Sequence, residues 1–426
     1  MKLFSYYFIS LLVLVPALLA FQAHNQSLRY THPAIVVSNG VSYLSLQDVP
    51  EGTTITSTAY WTPLLSTAPS AEPGDPPVTE PSSDELVGLP TPDPVVDDPD
   101  LPNRGSLEVR LGNISTAAYI PNNQPFSSGF QAQLDSAGLD YKGAIMVGYT
   151  VVGNGNKNLL LTGKGHTEGD STGNLIPAMS DPRMEVWGYP FNPTDKLTDP
   201  DGSNDDWQNG FYQSQINTTN FFNQYESKYS GLYPTLTGGS YVSIISSADG
   251  GSGNVRGETY ETYQMGWTSA SDATAKLTGV STNGWVQAGN EPGQRMTAGV
   301  GIRNLSSDTS LQKRLICMGK GLGHPYATPL YNPRIEVTDM NHNVLATNES
   351  WTNQSQSMID AINITGLMNN WGADNACVIV TVTPSQLPYS SVLVKLYSED
   401  GQSGNGLVEV YDLDLLESVY GYDAGQ

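Results

Sequence analysis

Leu160-Leu161-Thr162-Gly163-Lys164-Gly165 and Ile316-Cys317-Met318-Gly319-Lys320-Gly321 are one pattern written twice, a short strand-like run closed by Gly-Lys-Gly. Working outward, Asp181-Pro182-Arg183-Met184-Glu185-Val186 is matched by Asn332-Pro333-Arg334-Ile335-Glu336-Val337. Asp206-Trp207-Gln208-Asn209 is matched by Ser350-Trp351-Thr352-Asn353. Upstream, Gly112-Asn113-Ile114-Ser115-Thr116 meets Thr278-Gly279-Val280-Ser281-Thr282. Downstream, Ser247-Ala248-Asp249-Gly250 meets Ser398-Glu399-Asp400-Gly401. Matches in one unbroken order mean an internal duplication, with residues 105–268 as the first copy and 269–426 as the second.

Each copy reads as strands. Ala144 to Val152, Asn158 to Thr162, Met184 to Trp187 and Tyr241 to Ser246 are short alternating or β-branched runs bounded by Gly, Asn, Asp or Pro. Leu315–Met318, Arg334–Val337, Ala376–Val382 and Val392–Tyr397 repeat them. Asp249-Gly250 and Asp400-Gly401 read as hairpin turns. A helical turn or two is expected at 221–227 and 357–367, and Trp207 and Trp351 as core residues. Half-buried strands need a second layer, so the fold class is all-β, with two tandem β-sandwich, jelly-roll-like domains.

Upstream the composition changes. Residues 65–104 carry repeated prolines and acids with no base before Arg104, too little apolar surface to fold. They read as a disordered, polyproline-like linker whose reach, at about 3.1 Å per residue, is on the order of 100 Å. Residues 1–23 read as a secretory signal peptide: Lys2, an apolar run from Phe8 to Leu19, and small residues at Ala20 or Ala23. That run is short for a bilayer span, so no membrane association is expected after signal cleavage.

The chain holds 42 Asp and Glu against 19 Lys and Arg, a net charge of −23. Such a balance repels phosphate backbones, so no nucleic acid partner is expected. Neutral polymers carry no such penalty. The two cysteines, Cys317 and Cys377, sit in strand-like runs. In an oxidising compartment they favour a disulfide over two buried thiols.

Between the signal and the linker, residues 24–64 read as a small three-stranded module. A strand at Ile35-Val36-Val37, an Asn39-Gly40 turn, a second strand around Tyr43 and a closing Tyr60-Trp61-Thr62 place four large rings, Tyr30, Tyr43, Tyr60 and Trp61, close together. The rings serve either as a minimal core or as flat faces for sugar. A ring covering roughly 100 Å² of a pyranose contributes about 2 kcal/mol. The segment resembles the chitin-binding type-3 (family 5/12) carbohydrate-binding modules of bacterial chitinases and cellulases. It departs from them in Pro33-Ala34, where those modules carry Gly-Asp, and in lacking their upstream Trp strand. The resemblance implies a polysaccharide partner held by Trp61, Tyr60, Tyr43 and Tyr30. The duplicated region, through Asn113–Thr116, Val147-Gly148-Tyr149, Trp207 and Gly406-Leu407-Val408-Glu409-Val410-Tyr411-Asp412, resembles C-terminal β repeats of large secreted Verrucomicrobia proteins. No defined activity comes with that resemblance.

Catalytic patterns are decoys. Asp412-x-Asp414-x-x-Glu417 has the wrong spacing for a chitinase acid motif and reads as solvated acids. His166-x-Glu168-x-Asp170 has no acidic counterpart in the second copy. Asp199, Asp201 and Asp205 alternate as in a calcium loop, with the glycine misplaced for an EF-hand; calcium is the one cofactor the sequence suggests. Gly-Lys-Gly lacks the length and Ser/Thr of a phosphate loop. The expectation is therefore an extracellular carbohydrate-binding protein, accessory to degradation of chitin-like or other polysaccharides. The alternatives are a glycoside hydrolase, which needs paired carboxylates, and a cell-surface structural or adhesive protein.

Overall fold

The structure is a computed structural model. It describes the backbone of the strands at 22–23, 35–38, 41–45 and 61–63. It also describes the chain from 105 to 420 apart from 122–143, 154, 170–174, 190–196, 198–201, 220, 223–225, 263–274, 290–293, 323–327 and 370. The expected linker and signal peptide lie outside these residues, save Gln22 and Ala23. The chain separates into two compact units, one holding the strands before Pro99 and the other both copies of the repeat.

In the first unit, β2 (Ile35–Ser38) and β3 (Val41–Ser45) form the expected hairpin around Asn39-Gly40, closed by Ser38 opposite Val41. β4 (Trp61–Pro63) adds antiparallel to β3, and β1 (Gln22–Ala23) adds a fourth strand parallel to β2.

The first copy contains β5 (Val109–Ile120), β6 (Ala144–Val152), β7 (Lys157–Gly165), β8 (Glu168–Gly169), β9 (Leu175–Ile176), β10 (Pro182–Gly188) and β11 (Ser203–Asn204). It continues with α1 (Gln213–Thr218), β12 (Ser230–Leu232), β13 (Thr235–Leu236), β14 (Gly239–Ser247) and β15 (Gly253–Glu261). The second contains β16 (Lys276–Val286), β17 (Met296–Asn304), β18 (Lys313–Gly321), β19 (Pro333–Asp339) and β20 (Val344–Asn348). It ends with α2 (Gln356–Ile364), β21 (Ala376–Val382), β22 (Ser391–Ser398), β23 (Gly404–Asp412) and α3 (Leu413–Tyr420).

The protein is predominantly β, as expected, and pairing sorts the strands into two antiparallel layers. One, here sheet I, runs β11-β10-β14-β6-β16-β23-β18-β21. The other, sheet II, runs β12-β7-β15-β5-β17-β22-β19-β20, with β13 also on β7. Within a copy the chain steps from sheet to sheet at nearly every connection, the weave of a jelly roll. The Asp249-Gly250 and Asp400-Gly401 turns are therefore not hairpins. Gly250 (φ 77°) and Gly401 (φ 70°) do adopt the left-handed backbone such turns require, but β14 and β15, like β22 and β23, lie in opposite sheets.

The copies are also more than tandem. β6 pairs with β16 in sheet I and β5 with β17 in sheet II, so both layers run unbroken from one copy into the other. The register repeats throughout: Pro182 opposite Ser247 recurs as Pro333 opposite Ser398, and Gly253 opposite Ile120 as Gly404 opposite Val286. The two junctions are thus pseudo-twofold equivalents, the intrachain form of an isologous interface.

Alternation fills the space between the layers. Met296, Ala298, Val300 and Ile302 of β17 and Val392, Val394 and Leu396 of β22 point inward from sheet II; Val147, Val280, Val408 and Val410 meet them from sheet I. Each of the larger side chains among them, Val, Ile, Leu and Met, contributes about 1.5–3 kcal/mol. Outside sheet I, α2 is capped by Ser355, whose hydroxyl accepts from the Met358 amide at 3.3 Å. It packs with α3 on Ile316, Met318, Cys377 and Ile379. The first copy's helix falls at 213–218, earlier than expected, and Phe221 and Phe222 instead pack at a tilt against Tyr260 and the buried Trp207.

The disulfide expected between Cys317 and Cys377 does not form; both are free, buried thiols. Cys317 lies opposite Val378 and Cys377 opposite Met318. The one-residue offset sends Cys317 into the core between the sheets and Cys377 to the outer helical layer. Burial pushes both thiols up.

The acids at the end of the second copy are not solvated either. Asp412 accepts from Lys313 at 2.9 Å, Asp414 from the Arg314 Nε at 2.7 Å, and Glu417 from the Arg314 guanidinium, all buried. Asp412 also caps α3 through the Leu415 amide. Burial pushes its carboxyl up to about 6, and Lys313 opposes the shift. This pairing is part of the repeat. Lys157–Glu261 and Lys164–Glu258 join β7 to β15, and Lys313–Asp412 and Lys320–Glu409 join β18 to β23 at the same register. The lysines of Gly-Lys-Gly are therefore buried counter-ions inside strands.

Candidate functional site

The outer face of sheet II carries a groove of about 730 Å³ along the junction of the copies. Its shape follows from side-chain length. The two central strands, β5 and β17, present Asn113, Ser115, Ala117, Thr297, Gly299 and Gly301 outward; the flanking strands, β15 and β22, present Arg256, Glu258, Leu393 and Lys395. Short residues between long ones leave a trough parallel to the strands. Gly299 keeps the floor low, since a Cβ there would stand 2.6 Å from the Ser115 hydroxyl.

Cross-strand pairing arranges these residues in rows. One row reads Leu393–Gly299–Ser115–Glu258, the next Lys395–Thr297–Ala117–Arg256. With about 4.8 Å between strands, the backbones carrying Lys395 and Arg256 stand about 14 Å apart. Lys395 donates to Glu336 at 2.8 Å, and Arg295, stacked on Tyr397 at 4.6 Å, approaches the same carboxylate at 3.4 Å. Burial pushes Glu336 up, but Lys395, Arg295 and Arg334 outweigh it and hold the carboxyl below its ordinary range. On the opposite wall, the Arg256 guanidinium donates to the His166 imidazole at 2.8 Å, and Glu258 is held by Lys164 at 2.7 Å.

One end of the groove is marked by Ser391. Its hydroxyl donates to the Tyr389 carbonyl at 3.0 Å, and Tyr389 is 86% exposed. Tyr389 (φ 55°) and Ser390 (φ 49°) both hold left-handed backbone, a strain of about 1–2 kcal/mol per residue. Hydrogen bonds from Ser390 to the Leu387 and Pro384 carbonyls sustain it. Backbone strain of this kind gathers at ligand contacts.

The duplication supplies an internal comparison. On sheet I the row equivalent to Lys395–Thr297–Ala117–Arg256 is Ile244–Met146–Asn283–Leu407. The row equivalent to Leu393–Gly299–Ser115–Glu258 is Val242–Gly148–Ser281–Glu409. Glycine, serine and glutamate recur, so the backbone and the buried ion pair are shared. The walls differ: Ile244, Val242 and Leu407 are buried, whereas Lys395 and Arg256 line an open trough.

None of the residues expected to bind ligand lies in this groove except His166. Tyr30 and Tyr60 lie outside the described residues. Tyr43 and Trp61 are placed by backbone only. Ser45 lies opposite Trp61 and Tyr43 opposite Pro63. Asp199 and Asp201 lie outside the described residues, as does Asp170. Asp205 is exposed, its carboxyl pushed up by burial and by Asp181 and Asp206. Among the described residues, no three metal-ligating side chains converge. The groove was missed because its residues come from strands far apart in sequence; the legible signal was the exchange of apolar for cationic residues between matched copies.

Among the described residues no helix is long and apolar enough to cross a membrane. Compared with models of protein families and with curated proteins, the chain finds no match.

Proposed function

We propose that this chain is an exported carbohydrate-binding protein, accessory to polysaccharide breakdown, with its principal sugar site in the groove where the two jelly rolls meet. The observation that carries this reading is the open trough of sheet II, edged by Arg256 and Lys395, set against the buried row on sheet I where Leu407 and Ile244 stand in their places. Hydroxyls and amides on the floor suit a ligand made of hydroxyl groups, and exposed Tyr389 offers a flat face for a pyranose ring. The N-terminal segment, with its resemblance to chitin-binding modules, supplies a second attachment point and avidity on a repeating polymer. Binding is favoured over hydrolysis: Glu258 is the one carboxylate among the described residues lining the groove, and Lys164 engages it, whereas glycosidases act through a carboxylate pair.

The test is retention of the whole chain on insoluble chitin and cellulose and its affinity for a soluble oligosaccharide panel. Thr297→Met copies the Met146 found on the apolar face and fills the floor. It is expected to abolish groove binding, while Trp61→Ala weakens only retention on insoluble polymer. A wild-type chain that stays in the supernatant and binds no oligosaccharide refutes the proposal.

A further inference from the structure

We infer that the groove takes an acidic saccharide, one bearing carboxylate or sulfate groups, gripped between Arg256 on one wall and Lys395 with Arg295 on the other. This rests on the glycan reading above and names the chemical class of ligand.

The chain's net charge is −23, so cations gathered on one open face need a reason. Three cationic side chains, Arg256, Arg295 and Lys395, line the groove with His166 and His342; the one lining acid, Glu258, is engaged by Lys164, and Lys395 and Arg295 share the single carboxylate of Glu336 behind their wall, which leaves the face net cationic. At physiological salt the screening length is about 8 Å. A bound anion therefore feels these groups, together with the Glu336 carboxylate that Lys395 and Arg295 share, far more than the acids elsewhere on the chain. The duplication then shows where the cations were placed. Lys395 stands where the other face has Ile244, Arg256 where it has Leu407, and the Glu–Lys pair beneath is the same on both. The backbone and the Glu–Lys pair are shared by both faces, whereas the wall residues differ, Lys395 serving Glu336 as well as the groove. Arg256, aligned by the His166 ring rather than by a carboxylate, keeps its forked geometry for a carboxylate or sulfate. The floor between the walls offers Thr297, Ser115 and Asn113 to sugar hydroxyls.

The experiment compares three probes on the full chain by calorimetry at two salt concentrations: galacturonate oligomers, sulfated galactose oligomers and neutral galactose oligomers. Arg256→Leu and Lys395→Ile install the residues of the apolar face; Arg256→Gln and Lys395→Gln keep polarity, and thermal melts check folding. The expected result is binding of at least one acidic probe, weakened by salt and by about tenfold or more in each variant, with the two acidic arms distinguishing carboxylate from sulfate. Neutral oligomers bound as tightly as acidic ones, with no effect of the wall variants, would overturn this inference and leave the glycan reading standing. Failure of all three probes would overturn the inference, and with retention on chitin or cellulose also absent, the glycan reading falls too. Acidic binding abolished by Trp61→Ala but untouched by the wall variants would place the site elsewhere and overturn the inference.

Discussion

Replacing Arg314 with leucine removes the guanidinium that serves two buried carboxylates, Asp414 and Glu417. Asp414 keeps the Gly105 amide at 2.8 Å, the Arg314 amide at 2.9 Å and Lys313 at 3.4 Å, so it is partly compensated. Glu417 loses the Arg314 guanidinium. Breaking a buried pair by removing one partner costs about 3–5 kcal/mol, and the bonds left on Asp414 put this case near about 3 kcal/mol. Against a typical stability of roughly 5–15 kcal/mol, that is a large fraction. Urea unfolding followed by tryptophan fluorescence is expected to show a midpoint lowered by about 1 M or more at unchanged slope. The double variant Arg314→Leu with Glu417→Leu should recover part of the loss, since apolar residues can replace a buried pair. Disrupting the exposed Lys228–Glu226 pair, 3.9 Å apart, should cost less than about 1 kcal/mol. An Arg314→Leu variant within about 0.5 kcal/mol of wild type would refute the reasoning and return these acids to solvent.

Asp412 gives a pH signature. Its carboxyl is raised from 3.8 to about 6 in the folded chain, so its contribution is fully present below about pH 3.8 and is lost as pH rises through about 6. Relative to Asp412→Asn, wild-type stability should fall by on the order of 2–3 kcal/mol between those values and then level; a flat difference contradicts the shift. Cys317 and Cys377 should resist Ellman's reagent in the native chain and both react on unfolding without reductant, where a disulfide would leave no thiol to titrate. Residues 105–268 and 269–426 expressed apart should aggregate, because each exposes a bare strand edge in both sheets, and should co-purify when expressed together; two soluble, independent halves would contradict the shared layers.

Much of the architecture is legible in the amino-acid sequence because local rules govern it. Alternation announces the strands, and Gly-Lys-Gly recurs because the same buried lysine is needed at the same register in β7 and β18. The Asn39-Gly40 hairpin forms where the dipeptide indicates. Asp249-Gly250 misleads because the dipeptide specifies a left-handed glycine and not the next strand's destination; packing sends that strand to the opposite sheet. Asp412, Asp414 and Glu417 look solvated in isolation because their partners, Lys313 and Arg314, are about a hundred residues away. The two cysteines look bridgeable until a one-residue offset separates their faces. The groove is written across four strands, and only the position-by-position comparison of the copies, Arg256 with Leu407 and Lys395 with Ile244, carries its trace.

Met340, 38% exposed, lines the groove beside Lys395 and His342 and reports directly on its occupancy. Peroxide oxidation of this thioether, followed by mass spectrometry with and without a saturating acidic galactose oligomer, tests whether sugar sits on sheet II. Occupancy of the junction slows sulfoxide formation at Met340 several-fold while the buried Met296 and Met318 stay unchanged. Met340 oxidised at the same rate in the presence of bound oligomer contradicts the assignment.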